Sequence, residues 1–82
     1  MNQREALNKT IKVFGLKAVD IADRAGMPES DFSKFRNGKN DILTERFFRI
    51  AQALPADARS YLFMLLVAES SLDENLPAAM AS

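Results

Sequence analysis

The stretch Ile21-Ala22-Asp23-Arg24-Ala25-Gly26-Met27-Pro28-Glu29-Ser30-Asp31-Phe32-Ser33-Lys34-Phe35-Arg36-Asn37-Gly38-Lys39 decides the fold. It holds the end of one short helix, a break, and the whole of another. Leu16 to Ala25 has helical apolar spacing, with Leu16, Val19 and Ala22 on one side of its apolar face and Ile21 and Ala25 on the other. Gly26 supplies a left-handed stop. Pro28 suits the first position of the next helix, where its missing N–H costs nothing, and Glu29 and Asp31 then fall in the first turn, where the helix dipole favours negative charge. Phe32 and Phe35 turn inward, and Asn37-Gly38 ends the helix. Two short helices around a tight turn, with small Ala22 at their close approach, form a helix-turn-helix pattern.

Outside this unit the periodicity stays helical, and no stretch alternates with period two over the length of a strand. Leu7, Thr10, Ile11 and Phe14 mark a first helix from about Gln3, stopped by Gly15. After the turn Gly38-Lys39-Asn40-Asp41, a fourth helix carries Phe47, Ile50, Ala51 and Leu54 as its apolar stripe, and Pro55 forbids continuation. Asp57 reads as the N-cap of a fifth helix from Ala58 to about Ser70. The expected fold is therefore all-α, a compact five-helix domain over residues 1–70, followed by a flexible tail over 71–82.

Composition excludes more than it establishes. The 82 residues include no Cys and no His, so ordinary zinc sites and the triads and dyads of acyl transfer lack their side chains. A domain this small also offers little room for a cleft between paired carboxylates. No enzyme, metal or cofactor is expected. Without cysteine there is no disulfide framework, and the longest apolar run, Tyr61 to Ala68, is far too short to cross a bilayer. The expectation is a cytoplasmic protein with no membrane role and no evident small-molecule ligand. Net charge is zero, but residues 1–50 carry ten Lys and Arg against seven Asp and Glu, whereas residues 51–82 carry one Arg against four acids.

The quoted stretch resembles the lambda-repressor-like (Cro and phage-repressor type) helix-turn-helix proteins, and Phe47-Phe48-Arg49-Ile50-Ala51-Gln52-Ala53-Leu54 is similar to the fourth helix of that family. The resemblance covers roughly residues 3–56. It implies a bacterial or phage transcriptional regulator, a repressor by type, that binds double-stranded operator DNA as a homodimer with helix three in the major groove. Where the family commonly has a Gln near the start of helix two, this chain has Ala18, leaving Lys17 as the nearby cation. Where it often has Ser or Thr at the start of helix three, this chain has Pro28.

With Phe32 and Phe35 inward, Glu29, Ser30, Ser33, Lys34 and Asn37 face outward. Lys34 can donate to guanine, Glu29 can accept from cytosine N4, and Ser30 and Ser33 can serve base or phosphate. Arg36, Asn37 and Lys39 fall where members of the family often touch phosphates, and Lys17 joins them. Each has a plainer role as well. Glu29 and Asp31 complement the dipole, Arg36 is placed to pair with Asp20 or Glu45, and Asn37-Gly38 is first a helix stop.

Helix five presents Tyr61 to Val67 as seven consecutive large apolar residues, more than one core can cover. If Tyr61, Leu65 and Ala68 face the core, then Phe63, Met64, Leu66 and Val67 face outward as a homodimer interface. The plainer reading has the acidic tail or the first helix covering that patch. The rival function is a protein-interaction module, an adaptor or antitoxin-like partner, that keeps the fold without DNA. Zero net charge, two acids in helix three and Ala18 favour it.

Overall fold

The computed structural model describes residues 2–73. They form five helices, α1 (Gln3–Phe14), α2 (Ala18–Ala25), α3 (Glu29–Arg36), α4 (Thr44–Ala53) and α5 (Ala56–Asp73), with no strand among the described residues. Leu7 and Ile11 of α1, Ile21, Ala22 and Ala25 of α2, Phe32 and Phe35 of α3, Phe47, Ile50 and Ala51 of α4, and Ala58 and Leu62 of α5 meet in one core, closed by Met27 and Leu54. Helix α1 packs on α5 and α3, and α2 packs on α4 and α3.

The helix ends follow directly from the sequence. Asn2 opens α1 with a capping box: its Oδ1 accepts from Glu5 N–H at 2.8 Å while its own N–H donates to Glu5 Oε1 at 3.2 Å. At the other end, Leu16 N–H bonds Ile11 O at 3.0 Å and Gly15 N–H bonds Lys12 O at 3.3 Å. The same pair of closing bonds follows α2, from Met27 and Gly26, and α3, from Lys39 and Gly38. Gly26 sits at φ 74°, a left-handed conformation in which a side chain would be strained although the space around it is open.

Four boundaries differ from the sequence expectation. Helix α2 begins at Ala18 rather than Leu16, because the N–H of Leu16 is spent closing α1 and Lys17 is extended at φ −98°, ψ 126°. Helix α3 begins at Glu29. Pro28 is the cap, extended at ψ 142°, and its carbonyl accepts from Asp31 and Phe32. Asp57 is not an N-cap but lies in the first turn of α5, since Leu54 before proline is extended at ψ 151° and the carbonyl of Pro55 already accepts from Arg59 N–H at 2.8 Å. Helix α5 also runs to Asp73, past the expected start of the tail, and residues 74–82 of that tail lie outside the described residues.

Two apolar faces also differ from the sequence expectation. Val19 is half exposed rather than packed, because an eight-residue α2 buries only Ile21, Ala22 and Ala25. On α5 the residues turned fully to the core are Ala58 and Leu62, one turn apart, and not Tyr61, Leu65 and Ala68. Leu65 is half-buried and packs against the core, Tyr61 is half-buried and meets Phe14 of α1 edge-to-face at 5.5 Å, and Ala68 is exposed.

Candidate nucleic-acid interface

Helix α3 is held from behind by α1 through two side-chain clamps. The guanidinium of Arg4 donates from Nε to Phe35 O at 2.6 Å and from Nη2 to Asn40 O at 3.2 Å and Asp41 Oδ1 at 2.9 Å, with its carbon 5.1 Å from the centre of the Phe35 ring. One turn on, Asn8 Nδ2 donates to Arg36 O at 3.0 Å and Asn8 Oδ1 accepts from Arg36 Nε at 2.7 Å. These bonds satisfy carbonyls at the C-terminus of α3 and fix the loop after it relative to α1.

The opposite side of α3 is open. At 3.6 residues per turn, Glu29, Ser30, Ser33 and Lys34 fall within an arc of about 140° opposite the two phenylalanines. All four are exposed, and Phe32 and Phe35 are buried. Asn37 continues this face, its Nδ2 donating to Ser33 Oγ at 3.4 Å. The arrangement gathers a carboxylate, two hydroxyls, an amide and an ammonium on one exposed surface, a mixed donor and acceptor set of the kind that reads base edges.

The expected phosphate contacts divide. Lys17, exposed at the N-terminus of α2, and Lys39, exposed after α3, have no carboxylate within ion-pair distance among the described residues, and the same holds for Lys34. Arg36 is different. It is half-buried, bound to Asn8, and its guanidinium carbon lies 6.0 Å from the centre of the Phe32 ring. It pairs with neither Asp20 nor Glu45; the latter pairs with Arg49 at 3.3 Å. Asp31 is half-buried and lines a cavity with Asp41 and Arg46 between α3 and the start of α4.

The expected dimer residues also separate. Met64 and Val67 are 57% and 62% exposed, whereas Phe63 and Leu66 are half-buried against the core. Phe63 lies beside Phe48 of α4 at 6.5 Å between ring centres, and Phe48 is itself half exposed.

Sequence reasoning did not find Arg4 or Asn8, because their partners lie 31 and 28 residues away. It also passed over a surface on the far side of α2, where Arg24, Arg49, Gln52 and Arg59 line one cavity. The i, i+3 spacing of Arg49 and Gln52 was visible, but the approach of α2 and α5 to that face was not. Set against known protein families, curated proteins and solved structures, the chain finds no match in any of the three.

Proposed function

We propose that this protein is a sequence-specific, DNA-binding regulator of helix-turn-helix type that lays α3 in the major groove. The observation that carries the reading is the outward face of α3, where Glu29, Ser30, Ser33, Lys34 and Asn37 are exposed together on a helix of only eight residues anchored from behind. The three-residue break Gly26-Met27-Pro28 between α2 and α3, with Ala22 buried beside it, agrees with the pattern. Lys17 and Lys39, without an acid partner among the described residues, are cations suited to phosphates, and Ser30, Ser33 and Lys34 would read bases. Arg36 has its structural role through Asn8 and is a lesser phosphate contact. A homodimer formed through Met64 and Val67, with Phe63 and Leu66 at its margin, would double the contacts and match two half-sites about one helical turn apart.

Fluorescence anisotropy with a labelled duplex of random sequence tests the electrostatic part. Binding should weaken steeply with salt, because each neutralised phosphate releases counterions. A folded protein that leaves the duplex unbound even at low salt would favour the rival, a protein-interaction module, for which the exposed Phe48, Met64 and Val67 are the available surface.

A further inference from the structure

We infer that the cavity between the C-termini of α2 and α4 and the start of α5 binds the phosphate group of a small anionic ligand, a site separate from the α3 face and independent of the DNA reading. The cavity is open, about 580 Å³, and lined by Arg24 and Ala25 of α2, by Arg49, Gln52 and Ala53 of α4, by Leu54 and Pro55, and by Ala56 and Arg59 of α5. Its lining holds three guanidinium groups and no carboxylate. Such a volume lies within the range of small-ligand sites.

Each cation has a reason to be available. Arg59 donates from Nε to Ala51 O at 3.3 Å and from Nη2 to Gln52 O at 3.4 Å and Leu54 O at 3.1 Å, so these donors are spent on the carbonyl end of α4 and Nη1 is left for a ligand, with no acid within ion-pair distance among the described residues. Arg24 is exposed and likewise without an acid partner among them. Arg49 reaches Glu45 at 3.3 Å, but that pair is exposed on both sides, 58% and 78%, and a pair of this kind is weak enough for a phosphate to displace.

The backbone adds to the charge. Helix α5 starts at Ala56, in the cavity wall, behind a proline that has no capping side chain, and no side chain among the described residues accepts from its first-turn amides. The positive end of this 18-residue helix therefore falls in the cavity wall, on the same lining as the three guanidiniums. Guanidinium forks and helix N-termini both favour oxyanions, and a phosphate group, with its higher charge and three acceptor oxygens, can engage several of these donors at once.

The test uses the full chain labelled with ¹⁵N and titrated with pyrophosphate. The expected result is saturable movement of the Ala56 amide and of the Nε–H signals of Arg24, Arg49 and Arg59. Arg59 is left intact because it closes α4, and the double variant Arg24→Gln, Arg49→Gln should stay folded and raise the dissociation constant by about a hundredfold, the equivalent of two lost charged contacts. Lys34→Ala should leave pyrophosphate binding unchanged, so failure here and failure of DNA binding are read separately. Shifts that do not saturate, or an unchanged dissociation constant in the double variant, would overturn the site. Movement of the same signals by duplex DNA and not by pyrophosphate would overturn the small-ligand source and assign the cradle to a nucleic-acid backbone.

Discussion

Removing Arg4 should loosen the anchor of α3 far more than loss of a surface arginine usually would. Arg4→Ala deletes the 2.6 Å bond to Phe35 O, which is part-buried, and a hydrogen bond from a charged donor in such a setting contributes about 1.5–3 kcal/mol. The carbonyl is not wholly orphaned, because Gly38 N–H also reaches it at 3.1 Å, so the lower half of that range applies. The bonds to Asn40 O and to Asp41, whose side chain is 93% exposed, add roughly 0.5–1 kcal/mol after solvent screening. The contact with the Phe35 ring adds about 0.5 kcal/mol. The total is about 2.5 to 4 kcal/mol. Against a whole-domain stability of roughly 4–12 kcal/mol for this length, that is a large share. In urea, with a slope of about 1 kcal/mol/M, the unfolding midpoint should fall by roughly 3 M. Arg4→Lys keeps the charge but cannot serve three acceptors in a planar fork, so it should recover less than half of the loss. A midpoint lowered by less than about 0.5 M in Arg4→Ala, or a fully restored one in Arg4→Lys, would refute the clamp as an energetic anchor.

Three further outcomes are expected. Gly26→Ala should cost about 1 kcal/mol in urea unfolding from left-handed strain alone, since no atom crowds the position, and a neutral change would refute the strain argument. Met64→Asp with Val67→Asp should give a monomer by light scattering if α5 joins two copies, and an unchanged mass would remove that interface. Lys34→Ala should weaken binding to the preferred DNA sequence by about 1–3 kcal/mol and relax the choice of base at one position, whereas equal weakening on all sequences would make Lys34 a phosphate contact.

Much of the architecture was legible because it is local. Each of Gly15, Gly26 and Gly38 follows a helical apolar run, and the closing bonds they permit lie within six residues. The inward phenylalanines of α3, and Phe47, Ile50 and Ala51 on α4 with Leu54 just past its end, follow from period alone, and all are buried. What escaped the sequence depends on the third dimension. On α5 nearly every position from Tyr61 to Val67 is apolar, so periodicity cannot choose a face; packing against α1 and α4 chose Ala58 and Leu62. Asn8 and Arg36 are each polar residues with no local partner, and only the approach of α1 to the end of α3 brings them together. The arginine-lined cavity draws on three helices and has no signature in any one segment.

The most direct test of the central claim is selection of the purified full chain against a random duplex library at two salt concentrations, with sequencing of the bound fraction. The account predicts an enriched, two-fold related motif whose half-sites lie about one helical turn apart, with binding that weakens as salt rises. A folded, helical protein that enriches no sequence at low salt would contradict it.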